Sequence, residues 1–375
     1  MASAPPVDAD DPGRFAGLFG RDALITSLAL LPVRPDVARA TLRALARLQG
    51  TRDDPETAEE PGRIVHEHWP EAPERLRRAG WPVRGAELRY YGSADGTAWF
   101  LVLLAALGDA GLAAELEPAW RAAGAWLERA LRHGGGLVRH GEPPARGGLA
   151  QQGWRDAEDP GGPDGGGIVR PDGSIPGTRL ADADTQAVAL VALRALAGLS
   201  GEERHLAVAA ALAARVESRF GPDTMAVEAE GRPVAGAGSQ LGWLLWSGAL
   251  SCDAATRLAE RLSRPDVLTA WGLRTLSSEH PAFGAEAYHR GAVWPFDSWL
   301  GWGGLRAAGA KEAAERLRAG VLAALERLGL WPELYAVGAD GPRRLPVANQ
   351  VQAWTVGAAW ALKSRWDGRA LPAGS

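Results

Sequence analysis

Residues 181–220 read ADADTQAVALVALRALAGLSGEERHLAVAAALAARVESRF. Two helical runs stand here, Ala181 to Leu199 and Glu202 to Phe220, with only Ser200 and Gly201 between them. A connection this short makes the two helices antiparallel neighbours. The same unit recurs on both sides. Asp22 to Leu31 is apolar with helical spacing and ends at Pro32; Pro35-Asp36 then opens a partner with Val37, Leu42, Leu45 and Leu48 on one side. Asp95 to Leu107 pairs with Ala113 to Leu131, where Pro118 is tolerable only near the start. Leu241 to Leu250 pairs with Asp253 to Leu262, and Val293 to Ala308 with Lys311 to Leu328. Val351 to Ser364 closes the chain, and strand signals are local, as near Thr224 to Val227.

About eleven helices in pairs are therefore expected. Long connections run from Gln49 to Gly92, Gly134 to Arg179, Arg264 to Gly291 and Gly329 to Asn349. Each follows the second helix of a pair, so all should emerge at one end. Long loops in compact domains usually carry function. This is the pattern of an all-α (α/α) toroid with one loop-rich face. A helical-repeat scaffold needs a fixed sequence period, and none is visible.

Composition narrows the function. The 375 residues are 46% hydrophobic, ample for a large core, and the net charge of -4 leaves no basic footprint for nucleic acid. No apolar run approaches the ~20 residues that span a bilayer. The N-terminus lacks the basic and apolar regions of a secretion signal, so a soluble cytoplasmic protein is expected. Cys252 is the only cysteine, which excludes an internal disulfide. The seven histidines show no zinc spacing, so neither metal nor cofactor is expected. The glycines after Pro160 do not form a phosphate loop, and no serine-nucleophile elbow occurs. Carboxylates, arginines and sixteen tryptophans remain, a mixture suited to carbohydrate.

The carboxylates sit in loops or at helix starts beside aromatic residues. Gln152-Gly153-Trp154-Arg155-Asp156 opens a glycine-rich loop, where a carboxyl can protonate a glycosidic oxygen and an indole can stack on a pyranose. Asp22 in Phe19-Gly20-Arg21-Asp22, and Ser93 or Asp95 after Tyr90-Tyr91, read equally as helix caps. Asp184 and Gln186 fall inside an apolar helix, which is unfavourable unless they face a polar cavity. Glu67, the run Tyr288-His289-Arg290 with Trp294, Glu333 after Trp331-Pro332, and Gln352 with Trp354 complete the set.

These blocks, in this order, resemble the amylo-α-1,6-glucosidase type of glycogen-debranching protein, within the glucoamylase-like (α/α)6-barrel glycoside hydrolases. The matching blocks include Phe19-Gly20-Arg21-Asp22, Tyr90-Tyr91-Gly92-Ser93, Gln152-Gly153-Trp154-Arg155-Asp156, Tyr288-His289-Arg290-Gly291, Pro332-Glu333-Leu334 and Gln352-Ala353-Trp354. The resemblance implies an inverting exo-acting hydrolase of α-glucosides, with Asp156 as general acid and Glu333 as general base. It further implies sugar binding by Arg21, Asp22, Asp184, Gln186, His289, Arg290 and Trp294. Glu67, Tyr91, Asp95, Trp154, Gln352 and Trp354 join them as candidate substrate contacts. Hydrolysis of a small glycoside (glucosylglycerate, mannosylglycerate or trehalose) is the alternative, as is an inactive carbohydrate-binding relative. Residues 1–14 read as an irregular tail and 15–375 as the catalytic domain. Only eighteen residues precede Phe19, so the ring is expected to lack its first helix, with a second copy of the chain as one means of covering the open wedge.

Overall fold

Six apolar helices form a closed inner ring in the computed structural model, which describes residues 17–369. In chain order the helices are α1 (Gly20–Ala29), α2 (Pro35–Arg47), α3 (Glu74–Arg78), α4 (Gly96–Leu107), α5 (Ala110–Glu115), α6 (Glu117–His133) and α7 (Ala183–Ser200). They continue with α8 (Arg204–Arg219), α9 (Gln240–Trp246), α10 (Cys252–Leu262), α11 (Pro295–Ala307), α12 (Lys311–Leu328) and α13 (Ala353–Ser364). The inner ring runs α1, α4, α7, α9, α11, α13, each packed on the next, and α13 closes on α1. Helices α2, α6, α8, α10 and α12 lie outside it. The fold is an all-α (α/α)6 toroid.

Position in the ring explains each helix's composition. An inner helix touches neighbours on every side and must be apolar all round. α7 is buried continuously from Ala183 to Leu193, and α11 from Pro295 to Leu305. An outer helix needs one apolar stripe. α2 buries Ala38, Thr41, Leu42 and Leu45, and α10 buries Ala254, Leu258, Ala259 and Leu262. The closest approach in the ring lies between α9 and α11. A Cβ on Gly304 would stand 2.2 Å from the Gly242 carbonyl oxygen, and one on Gly242 would stand 2.5 Å from the Gly301 Cα. Only glycine lets these two backbones meet.

Among the described residues the outer ring has five helices, and none stands outside the α13–α1 contact. That is the place where the first helix of a full ring, which the sequence reading expected to be lacking, would lie. Here Gly357 of α13 packs against Ala29 of α1, and Val356 is exposed. The segment after α13 ties the far end of the barrel. Trp246 and Trp299 donate indole N–H groups to the Asp367 and Trp366 carbonyls at 2.8 and 2.7 Å. Trp366 donates to the Leu28 carbonyl at 2.8 Å, satisfying one of the free carbonyls that end α1.

Every inner helix starts at the same face, so all long connections gather there. A fifth one, from Phe220 to Ser239, adds to the four read from sequence. It contains the strand Thr224–Val227, which pairs with Ala181–Asp182 and Pro233–Ala235. A second small sheet joins Leu18–Phe19, Glu67–Trp69 and Leu88–Tyr90, all antiparallel. Two expected helices come out differently, and α3 falls within a segment read as a long connection. The run from Ala113 to Leu131 is broken at Leu116 into α5 and α6, because Pro118 must sit in a first turn. α9 stops at Trp246 rather than Leu250, and Gly248 beyond it adopts φ +62°. The expected tail falls on residues outside the described ones. Among the described residues no helix is long and apolar enough to cross a membrane.

Candidate active site

The inner helices present their N-termini to the loop face, where free N–H groups and the helix dipole favour acidic side chains. Asp22 lies in the first turn of α1, Asp184 in that of α7 and Asp297 in that of α11. Asp182 caps α7 through the Thr185 N–H at 2.8 Å. The loops wall a pocket of about 600 Å³ above these ends.

Arg21 organises its floor. It is buried and donates Nε to both Asp95 oxygens at 2.8 and 2.9 Å, Nη1 to Asp156 Oδ2 at 2.7 Å and Nη2 to the Gly153 carbonyl at 2.9 Å. Burial works against its charge, but Asp95 and Asp156 outweigh that and hold it protonated. The Gln152–Asp156 turn is pinned from below as well. His140 Nε2 bonds Asp182 Oδ2 at 2.7 Å, and its Nδ1 accepts the Gln152 N–H at 3.2 Å. Arg63 donates to Gln152 Oε1 at 3.0 Å. Arg155 pairs with Asp184, donates to Ser239 Oγ at 2.7 Å and lies over the Trp154 ring. Trp154 stacks in parallel on Trp243, with centroids 5.8 Å apart. Asp156 at the end of this turn is the partly open member, with 28% of its side chain exposed.

Glu333 reaches the same pocket from the loop between α12 and α13. Its side chain is buried; Oε1 accepts the Tyr288 hydroxyl at 2.5 Å and Oε2 the Asn349 N–H at 3.1 Å. Two donors fix its direction. Asp22 and Glu67 line the pocket as well. Burial pushes Asp22 up to about 8, against Arg21 and with help from the charges of Asp156, Glu333 and Asp95. Burial likewise pushes Glu67 up to about 7, although the Trp69 indole donates to it at 2.6 Å. His66, 3.9 Å from Asp156, and His289 are held neutral by burial and by the nearby arginines. Trp294 and Trp354 supply aromatic wall; Trp294 is fixed by its indole bond to the Tyr288 carbonyl at 2.8 Å.

The structure therefore brings Arg21, Asp22, Glu67, Trp154, Asp156, His289, Trp294, Glu333 and Trp354 to one cavity. The other sequence candidates support it from outside. Asp95 is fully buried as the Arg21 anchor, and Asp184 holds Arg155. Gln186 bonds both the N–H and the carbonyl of Val138. Arg290 holds the Gly162 carbonyl, and Gln352 accepts from Asn349. Tyr91 faces elsewhere: its hydroxyl donates to the Leu48 carbonyl, and it lines a separate hollow with Arg47 and Gln49. Sequence reading missed Tyr288, His66 and Arg75, all of which line the cavity. Tyr288 lay inside a motif block read for His289 and Arg290, and His66 stands next to Glu67 in the chain. Arg75 sits in α3, too short to register as a helix. No group of three metal-binding side chains occurs among the described residues.

A family model, the mannosylglycerate hydrolase MGH1-like glycoside hydrolase domain, matches residues 20–335. The chain belongs to this family. The MGH1-like domain is similar in fold to GH63 mannosylglycerate hydrolase from Thermus thermophilus. Against the crystal structure with Tris and D-glycerate the TM-score is 0.70 at 19% identity, covering 94% of each chain. Against the structure with glucose it is 0.67 at 18% identity, covering 93% of each. No curated protein matches. The glycoside hydrolase grouping stands, while the amylo-α-1,6-glucosidase type expected from the motif blocks is not the one the family model describes.

Proposed function

We propose that this protein is an inverting, exo-acting hydrolase of a small α-linked glycoside. The observation that carries the reading is that Asp156 and Glu333 enter one cavity with opposite surroundings. Glu333 is aimed by two fixed donors, on a group with about four acceptor positions. Asp156 is partly open, and Arg21 bonds its Oδ2. In the mechanism Asp156 delivers a proton from Oδ1 to the glycosidic oxygen as the bond to the anomeric carbon breaks. Glu333 takes a proton from the water that attacks the opposite face, which requires a carboxyl separation of about 6.5–9.5 Å. The product sugar has inverted configuration. The charges of Asp156 and Glu333 add to burial in raising Asp22, which stands beside them in the cavity.

Asp22 has no hydrogen-bond partner among the described residues, and with its raised pKa it can donate to, as well as accept from, a sugar hydroxyl. Trp294 and Trp354 would bound the sugar ring. Family membership and a cavity within the ~300–1,000 Å³ of small-molecule sites favour a small glycoside over the α-1,6 stub of a branched polymer. The test is sugar release from α-glucosides and α-mannosides of small aglycones, with isomaltose-type stubs beside them. Asp156→Asn and Glu333→Gln should each lower the rate by ~10²–10⁴-fold with the fold intact. Release from stubs alone would restore the debranching reading; binding without release would leave an inactive relative.

A further inference from the structure

The turn that ends at Asp156 rests on a pair of side chains outside the cavity. His140 and Asp182 are buried, and neither lines the pocket. Gly153 lies directly on them. A Cβ there would stand 2.9 Å from Asp182 Oδ2 and 3.2 Å from His140 Nε2, so glycine is what lets the turn settle this close.

The partners fix where the imidazole carries its hydrogen. The Gln152 N–H meets Nδ1 at 3.2 Å and can only donate, so Nδ1 must offer a lone pair. The hydrogen then sits on Nε2, 2.7 Å from Asp182 Oδ2. An ionised carboxylate accepts and cannot donate, which selects that tautomer. Burial works against the Asp182 charge. The bonds from His140 and from the Thr185 N–H and hydroxyl, the latter two at 2.8 and 2.7 Å, outweigh it and hold the carboxyl below its ordinary value.

Arg21 holds the same stretch of backbone through its carbonyls. Its Nη2 donates to the Gln152 and Gly153 carbonyls at 3.3 and 2.9 Å, while Nη1 donates to Asp156 Oδ2 at 2.7 Å. A shift at the Gln152 N–H therefore reaches Asp156 by two routes, along the turn and through the guanidinium. We infer, on the reading that Asp156 is the general acid, that Asp182 and His140 are positioning residues for it: the carboxylate sets the imidazole tautomer, and that tautomer anchors the acid-bearing turn at the Gln152 N–H.

Asp182→Asn tests this with little change of shape. With its oxygen kept on the Thr185 N–H, the amide presents a donor to Nε2; the hydrogen moves to Nδ1 and opposes the Gln152 N–H. Nitrogen NMR of the His140 ring reads that move directly. On an α-glycoside of glycerol or glycerate, kcat should fall ~10–100-fold with KM nearly unchanged, since a displacement of about 1 Å can cost that much. On the matching α-glycosyl fluoride, whose leaving group departs with little help from a proton, kcat should hardly change. Asp156→Asn should show the same contrast. His140→Asn keeps an acceptor near the Nδ1 position and should retain more activity than His140→Leu, which keeps none; this pair carries the test if Asp182→Asn does not fold. Equal loss on glycoside and fluoride, wild-type kcat in Asp182→Asn, or equal loss in the two His140 variants would overturn the inference and leave Asp156 as the acid. Absence of the contrast in Asp156→Asn, or no sugar release by the wild type, would overturn the acid reading and the inference with it.

Discussion

Tyr288→Phe removes one oxygen atom and with it a donor to the proposed base. The hydroxyl donates to Glu333 Oε1 at 2.5 Å, while the Asn349 N–H still donates to Oε2 at 3.1 Å. A hydrogen bond to a charged group contributes ~1.5–3 kcal/mol. If that interaction aims the base in the transition state, its loss lowers kcat/KM by ~10–100-fold, at ~1.4 kcal/mol per factor of ten. The ring stays, and so does the backbone carbonyl that holds the Trp294 indole. Thermal unfolding should consequently move little. The assay is a double-mutant cycle on initial rates with Glu333→Gln. A residue acting through Glu333 has nothing left to act on once the base is gone, so the double variant should be no slower than Glu333→Gln alone. Equal loss in both backgrounds, or wild-type rate in the single variant, would refute the assignment of Tyr288 to the base.

Other perturbations test the frame and its charges. Arg21→Gln leaves Asp95 buried without its cation and should destabilise the protein by ~3–5 kcal/mol in denaturant unfolding. Gly304→Ala puts a methyl 2.2 Å from the Gly242 carbonyl oxygen, so α9 and α11 must separate; overpacking of this kind costs about 1–3 kcal/mol, read as a lower Tm. Asp22 and Glu67 hold protons in the fold, up to about 8 and about 7, that the unfolded chain has lost near its ordinary values of 3.8 and 4.5. Raised carboxyls bind more protons folded than unfolded, so this contribution is full below pH ~4 and fades as pH climbs to about 8. Asp22→Asn should flatten the decline and exceed wild type in stability at pH 9, measured by urea unfolding.

The fold was legible where helical periodicity ran uninterrupted. α12 spans Lys311–Leu328 as read, because nothing within it competes with the helix. Legibility failed where tertiary contacts decide. Leu116 ends α5, and the chain restarts at α6 to place Pro118 in a first turn. At the site, the residue types pointed to the right face, but not to which side chains reach the cavity. Gln186 and Asp184 were expected to see a polar cavity; instead the Val138 backbone and Arg155 satisfy them inside the wall. Tyr90 and Tyr91 are adjacent, and the strand ending at Tyr90 sends Tyr91 toward the Leu48 carbonyl. Sequence order carries no record of such partners, which lie 29 to 48 residues away.

The most direct test of an inverting site with Asp156 as acid and Glu333 as base is the anomer first released. Proton NMR during hydrolysis of an α-glycoside, begun before the sugar mutarotates, should show the β-anomer accumulating first, and Glu333→Gln should suppress it. First release of the α-anomer would mean a retaining route and would contradict the roles given to both carboxylates.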